Sequence, residues 1–428
     1  MNPNLKLANL QPPYSLYSLR SFWLTPIFLF LVMAVCVNAA SFTPETAATY
    51  ALRNNPELIA ARFLIHEAEG RLIQAGLWRN PEFEVDTDFA MRSWRGDRLV
   101  NLTLNQKFPL AGRLAKARTV ARVDVAMSIE EFHNQERLIA GNVLGQARNI
   151  LLFDKRITLA NSQLALLDRI LEQTSALASS GTGDTTGIGI AQLEKATLAL
   201  QRESQIVSRA AALDQLCGLL GIVPGNPLVI TGFLPSLPAS FDIMPDRADL
   251  RLALLNADKS NAEQHLARVE KWEDLNVGIG YTREKDGGQY ENMAQLKFSL
   301  PLPLWDRNQG RLAETRAASE RALADIEARR LAIETEIREA RTRALGLASI
   351  LSQINGSTMK LAKQNTARIE LSVASGFASF LTIYESRRQH LNLATTALDT
   401  QTQLVAAITD WQTRTGQLPG IRLSRTDK

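Results

Sequence analysis

Side chains able to do covalent or metal chemistry are few in this sequence of 428 residues, and they lie far apart. The four histidines, His66, His133, His265 and His390, have none of the short spacings that place two ligands on one metal ion. The glycine pairs within 181–189 lack the preceding strand and the third glycine of a dinucleotide-binding turn. No nucleophile with a partner base accompanies them. The sequence therefore predicts no catalytic residue, no cofactor, no metal site and no enzyme.

Three carboxylates indicate a polar surface rather than a reactive centre, because they alternate with apolar or β-branched residues. Glu84, Asp86 and Asp88 occupy every second position of their segment. Apolar residues alternate with small or polar ones in the second half: Val277, Ile279 and Tyr281. A period of two is typical of a strand with one face in water and one against lipid. We predict lumen-facing carboxylates and lipid-facing apolar residues; the alternative is an exposed strand face on a soluble two-layer domain.

The segments that carry this alternation belong to two copies of one organisation, about 192 residues apart. Asn55-Pro56-Glu57-Leu58 opens a helix in the first copy, and Arg247-Ala248-Asp249-Leu250 opens one in the second. In each copy a pair of predicted strands and then a very long helix follow. Helix starts and strand faces keep the same offset, which favours an internal twofold repeat over two helical segments that merely resemble each other.

The repeat predicts the organisation of the whole chain. A signal peptide over 1–39 precedes the first repeat, 40–221, which contains a helix, a β-hairpin at 81–109 and a coiled-coil hairpin at 112–221. A proline-rich linker over 222–245 leads to the second repeat, 246–416, which contains a helix, a β-hairpin at 274–302 and a coiled-coil hairpin at 309–416. A tail over 417–428 ends the chain.

Apolar residues after each strand pair recur at alternating spacings of four and three, the heptad pattern of coiled coils. The stripe runs from Val125 to Leu171 in the first copy and from Leu323 to Ile354 in the second. No proline interrupts 309–375, so a helix of about 67 residues would reach roughly 100 Å. A shorter helix follows each long one and is predicted to fold back on it. Its seam in the first copy includes Ala196, Ile206, Ala210 and Cys217, the last as a small buried hydrophobe.

The N-terminus has the features of a secretory signal. Lys6 and Arg20 precede an apolar run over 23–37, and Val37-Asn38-Ala39 fits signal peptidase. We predict a mature chain from Ala40. An uncleaved anchor is one alternative, and lipidation of Cys36 is another, disfavoured by the bulk of Val35.

The predicted strands are the only means by which the mature chain could cross a membrane, because no later stretch is apolar and long enough for a membrane helix. Four strands are too few to close a barrel, whereas three copies would supply about twelve and leave a passage. The net charge of +4, against 48 basic and 44 acidic residues, leaves no nucleic-acid footprint.

Several segments together resemble the TolC-type outer-membrane efflux family over nearly the whole mature chain. They are Asn55-Pro56-Glu57-Leu58, Gln74-Ala75-Gly76-Leu77 with Asn80-Pro81, the run from Leu300 to Leu304 into Asp306-Arg307-Asn308-Gln309-Gly310, and the Ser375-Gly376 turn continuing to Arg387-Arg388. Their combination is most similar to the cobalt-zinc-cadmium resistance branch, whose members are outer components of tripartite pumps.

The resemblance implies mainly helical chains that form a homotrimer, with a twelve-stranded barrel in the outer-membrane lipid and a helical tunnel in the periplasm. It implies a passive duct for heavy-metal cations, supplied by an inner-membrane resistance-nodulation-division transporter through a periplasmic adaptor. The candidates for adaptor docking lie in the two helical turns: Gly181, Asp184, Gly376, Ser379, Phe380 and Leu381. The first turn is longer and richer in glycine than the family's, and Asp184 is there either a constriction residue or a helix cap.

Two other readings remain open from the sequence. A periplasmic coiled-coil structural or adaptor protein would explain the helices but gives the strands no role. A duct of the same family for drugs or other organic substrates would share every feature above, because a passive duct leaves substrate choice largely to the pump.

Overall fold

The computed structural model describes residues 40–89, 98–179, 185–225, 227–241, 246–286, 289–375, 380–421 and 423, all within one compact unit, Ala39–Lys428. The first half contains β1 (Ala40–Phe42), α1 (Pro44–Asn54), α2 (Pro56–Ala75), β2 (Glu82–Phe89), β3 (Arg98–Phe108), α3 (Arg113–Ser179) and α4 (Thr185–Leu220). After it come β4 (Leu228–Ile230), α5 (Ala248–Glu270), β5 (Leu275–Asp286), β6 (Gln289–Ser299), α6 (Gln309–Gln353), a π-helical segment (Ile354–Thr358), α7 (Met359–Ala374) and α8 (Phe380–Thr415). The predicted fold class, long helical hairpins with four strands in two copies, is confirmed.

The repeated tetrapeptide marks a helix start in both halves, with different capping chemistry. Asn55 ends α1 and begins α2: its side-chain oxygen accepts the Leu58 N–H at 3.1 Å, and its amide donates to the Leu219 carbonyl at 2.8 Å. At the equivalent position of α5, Arg247 makes no side-chain cap. Asp249 instead accepts the Leu250 N–H at 3.0 Å. The first copy thus caps its helix with a neutral amide, whereas in the second copy a carboxylate within the first helical turn accepts one of the free N–H groups.

The first long helix, α3, has 67 residues and spans about 100 Å at the ordinary rise per residue. It contacts α1, α2, α4, α5 and α8 along its length. Much of the predicted apolar stripe is buried: Phe132, Ile139, Val143, Ile150, Ala160, Leu164 and Leu167. Gly141 brings α3 close to α8, since a Cβ there would lie 2.2 Å from Thr413 Oγ1. The heptad pattern therefore identified the packing face of this helix correctly.

The predicted stripe on α4 is wrong over most of that helix. Three of its residues are exposed: Ala196, Ile206 and Ala210. Only its C-terminal part, with Cys217 and Leu220, is buried. Two ion pairs hold α3 and α4 together farther along: Arg209–Asp154 at 2.6 Å and Lys195–Asp168 at 2.5 Å. Because charged residues replace apolar ones on part of the contact face, a search for hydrophobic spacing selected the wrong side of the helix.

The second long helix runs from Gln309 to Ala374, but its hydrogen-bond pattern changes to π-helical at Ile354–Thr358. The hydroxyls of Ser357 and Thr358 both donate to the Gln353 carbonyl, at 3.2 and 3.3 Å. Upstream, part of the predicted stripe is buried: Ile333, Ile337, Ala340 and Ala344. Leu323 is 57% exposed, and Ala322 is buried beside it. The heptad pattern therefore holds for the middle of α6 and slips by one residue near its start.

Four strands form one antiparallel sheet in the order β2-β3-β5-β6. The central pair joins the two halves of the chain, with Leu104 opposite Ile279. β2 and β6 are its edges, and no other strand of the described residues lies beside them. β1 pairs in parallel with β4, which lies inside the proline-rich segment 222–245. That pairing ties the segment to the start of the described chain.

Apolar side chains collect in separate cores along the helices. One gathers residues of α1, α3 and the C-terminal part of α4, including Leu144 and Leu216. Another lies between α6 and α8, where Phe241 and Trp411 meet edge to face at a centroid distance of 4.9 Å. None of the helices in the described ranges combines the length and the apolar character needed to span a membrane.

Candidate functional site

The four-stranded sheet has two chemically different faces. Residues opposite each other in the register share a face, so Phe83, Leu104, Ile279 and Leu296 form one apolar row across all four strands. The three residues predicted to face lipid lie on this face: Val277, Ile279 and Tyr281. Ile279 is 63% exposed and Phe83 is 66% exposed. A single chain therefore exposes a continuous apolar surface on this side of the sheet, which we call the apolar face.

The opposite side, the polar face, is acidic. The three carboxylates predicted to face a lumen, Glu84, Asp86 and Asp88, all lie on it and are exposed. Seven acidic residues occupy register positions on this face: Glu82, Glu84, Asp86, Asp88, Glu284, Asp286 and Glu291. Two basic residues accompany them: Lys107 and Lys297. By the usual ionisation of each residue type, the face has a formal charge of about −5 per chain.

Side-chain hydrogen bonds connect neighbouring strands on the polar face. Lys107 donates to Glu82 at 2.9 Å, and the Asn105 amide donates to Glu84 at 3.1 Å. Two threonines in the middle are only 3% and 4% exposed: Thr103 and Thr282. Since small residues are buried here while large ones are exposed on the other side, the sheet curls with its polar face concave.

Gly278 contributes to this curvature by bringing β5 close to the side chains of its neighbours. A Cβ at Gly278 would lie 2.4 Å from Asn105 Oδ1 and 3.5 Å from Lys297 Cβ. The position faces the polar side, as the alternation predicts, but it has no room for a longer side chain.

Aromatic residues flank the apolar face at both ends. Near the helices, Trp78 meets Phe108 edge to face at 5.6 Å. At the hairpin end, the Arg283 guanidinium lies over the Tyr290 ring at 4.2 Å. The two ends are about ten residues apart along β5, or roughly 33 Å of strand, and a tilt near 40° reduces this to a height of about 25 Å. That height is similar to the apolar band of a membrane-spanning strand, which is flanked by aromatic residues at both ends.

Most of the predicted docking residues in the helical turns lie outside the described residues: Gly181, Asp184, Gly376 and Ser379. The structure describes Phe380 and Leu381 only as the first helical residues of α8. α3 ends at Ser179 and α4 begins at Thr185, while α7 ends at Ala374. The ends of these helices flank the positions at which the sequence predicts the turns, and the roles of these six residues stay predictions.

Close to the turns, α3, α4 and α8 meet around three buried residues: Leu167, Ala191 and Tyr384. Charged groups surround this contact, including an Arg387–Glu370 pair at 2.8 Å between α8 and α7. Burial raises the pKa of Glu194, Arg388 opposes this, and Glu385 adds to it. This acidic side chain within the helix contact was not predicted, because Glu194 resembles an ordinary surface position in the sequence.

A second charged cluster joins the start of α5 to α6. Arg247 donates to both carboxylate oxygens of Asp249, at 2.9 and 2.5 Å, and to Glu336 at 2.9 Å. Arg329 also donates to Asp249. Desolvation by burial acts to raise the pKa of Asp249, but the hydrogen bonds from both arginines outweigh it and lower that pKa. The Arg-Ala-Asp-Leu motif thus supplies the buried ion pair that anchors the second repeat.

Arg148 is the largest fully buried side chain, at 1% exposure. It donates to Thr409 Oγ1 at 2.6 Å and to Gln412 Oε1 at 2.7 Å, while Glu45 lies 4.0 Å away. Burial lowers the pKa of Arg148, and Glu45 counteracts this. The sequence does not reveal this residue, because its hydrogen-bond partners on α8 are more than 260 residues away along the chain.

The cysteine and the other groups that could bind a metal or act as nucleophiles lie in surroundings that suit a structural role. Burial, together with Asp214, raises the pKa of Cys217, which favours the neutral thiol expected of a packing residue. Within the part of the chain that the structure describes, no three histidine, cysteine or acidic residues come together in an arrangement that could hold a metal ion.

Comparison with known proteins places these features in a family context. The sequence profile of the family described as "Outer membrane efflux protein" matches residues 48–219. The cobalt-zinc-cadmium resistance protein CzcC of Cupriavidus metallidurans is 25% identical over 340 residues, which cover 76% of each chain.

Solved structures show the same fold. The channel protein CusC superposes with a TM-score of 0.74 at 17% identity, covering 87% of this chain and 91% of that one. The outer membrane protein VceC of Vibrio cholerae superposes with a TM-score of 0.72 at 16% identity, covering 87% of this chain and 96% of that one.

Proposed function

Because this chain belongs to the TolC-type outer-membrane efflux family, we propose that it is the outer-membrane duct of a tripartite efflux system. The duct is a homotrimer whose sheets join into one barrel in the outer membrane and whose helices form a tunnel in the periplasm. It is passive: the energy comes from an inner-membrane pump of the resistance-nodulation-division class, and a periplasmic adaptor connects the two. The family is one of channels, so we assign this chain no catalytic role.

The observation that carries this proposal is the two-faced sheet with free edges. Its apolar face is exposed over a height that suits a bilayer, and its concave polar face suits water. β2 and β6 offer unpaired edges on which a neighbouring chain can continue the sheet. Three copies supply about twelve strands and an open lumen, whereas two copies supply about eight, whose interior side chains fill.

An exposed apolar row on α4 supports association of the helices as well. Leu193, Leu200 and Val207 are spaced by seven residues and are 71%, 73% and 68% exposed. Large apolar residues at heptad spacing form a coiled-coil seam, and such a seam requires a partner helix. Leu361 and Leu371 of α7 are 65% and 71% exposed. We propose that these rows pack between neighbouring chains, so that the helical hairpins close into a tube.

We propose heavy-metal cations as the substrate class. The similarity to CzcC, whose name connects it with cobalt, zinc and cadmium resistance, supports this choice. The acidic polar face supports it independently, because three chains would line the lumen with a formal charge of about −15 from the face described above. Such a lining concentrates cations without holding them at a fixed site.

We propose that the adaptor docks on the two helical turns. The residues involved are those expected from the sequence: Gly181, Asp184, Gly376, Ser379, Phe380 and Leu381. The described helix end that precedes the first turn, Ser179 of α3, is separated from the sheet by about 100 Å of helix rise, and a periplasmic partner would approach from that side.

The test is efflux in cells that retain a metal-exporting pump and its adaptor but lack the outer component. Cells that express this chain should lose preloaded zinc, cobalt and cadmium faster than cells with an empty vector, and only when the pump is present. An organic dye serves as the second substrate. Export of the dye but of no metal would replace the metal assignment with an organic one, and export of neither would remove the duct proposal.

A further inference from the structure

Negative charge is confined to one face of the sheet. Every acidic residue of the four strands occupies a polar-face register position, and the apolar face has none. The cations of the apolar face are confined to its hairpin end, at Arg283 and Lys285, and Arg98 stands opposite Lys285 in the register. Among the described strand residues, positive charge on the apolar face therefore occurs at its hairpin end, and no acidic residue shares that face.

The ring of one aromatic side chain, Tyr290, lies beside both Arg283 and Lys285. The Arg283 guanidinium lies 4.2 Å from the centre of the Tyr290 ring, and the Lys285 ammonium lies 5.8 Å from the same ring. Tyr281 donates to Asn292 at 2.7 Å in the adjoining row. Neither cation forms an ion pair with any residue in the described part of the chain. Stacking on a ring orients a guanidinium while leaving its outward N–H groups free to bind an anion.

The position of this cluster in the fold determines which surface it meets. The long helices leave the sheet at the opposite end, where α3 follows Phe108 and α6 follows Ser299. With the helices in the periplasm, the hairpin end lies at the external surface of the outer membrane. A cation on the outward face at that level meets lipid headgroups rather than the lumen.

We infer that Arg283 and Lys285, with Tyr290 between them, bind the phosphate groups of a phosphorylated lipid headgroup in the outer leaflet. The inference rests on the proposed function, since it requires the sheet in that membrane. Guanidinium and ammonium groups are the usual protein partners of phosphate, and a ring at the interface packs against the apolar base of the headgroup. An acidic protein is a poorer fit, because the site continues directly into an exposed apolar wall.

The test uses the full-length trimer, reconstituted in phosphatidylcholine vesicles with diphosphoryl lipid A as the probe. The binding of lipid A is compared between wild type and the double variant Arg283→Gln/Lys285→Gln. Near an anionic surface each cation contributes about fivefold, so the double variant should bind roughly thirtyfold more weakly. Lys297→Gln removes a cation from the polar face of the same sheet and should leave binding within about twofold. Arg283→Lys, which keeps the charge, should retain most of the binding.

Two results overturn the inference alone, and a third separates it from the proposed function. Equal binding by wild type and double variant, with normal insertion of both, removes the lipid site and leaves the duct intact. Displacement of lipid A by equimolar inorganic phosphate marks a general anion site and equally contradicts a headgroup site. Failure of the wild-type protein to insert into any vesicle contradicts the proposed function itself, and the lipid site with it.

Discussion

A lysine introduced at Ile279 tests the assignment of the two sheet faces most sharply. Ile279 lies in the apolar row with Leu104 and Leu296, about 13 Å along the strand from the Phe108 end. This places it in the middle third of the apolar band. A lysine at the midplane of a barrel's outer face costs about 2–4 kcal/mol, which is repeated in each subunit and amounts to roughly 6–12 kcal/mol for a trimer.

The matched control is Gln295→Lys, which puts the same charge on the polar face one residue from Leu296. It should leave assembly nearly unchanged, because the charge enters the aqueous side among carboxylates. Gly278→Asp would be a poor control, since a Cβ at this glycine meets Asn105 at 2.4 Å. That substitution should disturb the sheet for steric reasons, regardless of which face of the sheet contacts water.

The assay is the yield of folded trimer in the outer-membrane fraction, together with urea unfolding of each variant in vesicles. At about 1.4 kcal/mol per tenfold, Ile279→Lys should shift the unfolding equilibrium by about thirtyfold to a thousandfold per chain. Equal trimer yields for Ile279→Lys and Gln295→Lys, or greater damage from the latter, would refute the face assignment and the membrane role of the sheet.

Three further predictions concern the helices. Asp249→Asn should cost about 3 kcal/mol of unfolding free energy by stranding buried Arg247, as measured by denaturant unfolding. Because the pKa of Asp249 is lowered in the folded protein, its stabilisation is present above the unfolded-state pKa near 4 and is lost as the pH falls through the folded-state pKa. If Asp249→Asn left the acid sensitivity of unfolding unchanged, this assignment would be contradicted. Gly141→Ala should destabilise the protein by about 1–3 kcal/mol, because the new Cβ crowds Thr413 at the α3–α8 contact. Gly218→Ala is the control: nothing lies within 4 Å of its new Cβ, so it should be neutral or stabilising by about 0.5–1 kcal/mol. Equal unfolding free energies for the two variants would show that the crowding at Thr413 is relieved without cost. Gly376→Val should abolish adaptor pull-down and metal efflux while the trimer stays folded, and normal docking by this variant would leave the second turn as a plain connection.

Much of the fold follows from spacing alone. The alternation around Glu84 and Ile279 predicts strands with distinct faces, and heptads predict the buried stripe of α3, because both are periodic properties of long segments. The β1–β4 pair was not predicted, since three-residue strands leave no periodic signal. Two features explain the error on α4: ion pairs occupy part of its contact with α3, and Leu193, Leu200 and Val207 form a second apolar row that is exposed in a single chain, so hydrophobic spacing does not select one packing face.

The buried charges required the tertiary structure. Arg148 is surrounded by partners from α1 and α8 that lie far from it in sequence, so no local pattern distinguishes it from a surface arginine. The cation cluster at Arg283 likewise emerges only when the register places Tyr290 beside it. Periodicity predicts which face a residue takes, whereas the partners on that face depend on how distant segments pair.

The central claim is that three chains together close a membrane duct that one chain cannot form. The most direct test is native mass measurement of the protein extracted from the outer-membrane fraction, with N-terminal sequencing of the same sample. We expect a single species of three chains, each beginning at Ala40. A one-chain or two-chain species, or recovery of the protein in the periplasmic fraction without membrane, would contradict it.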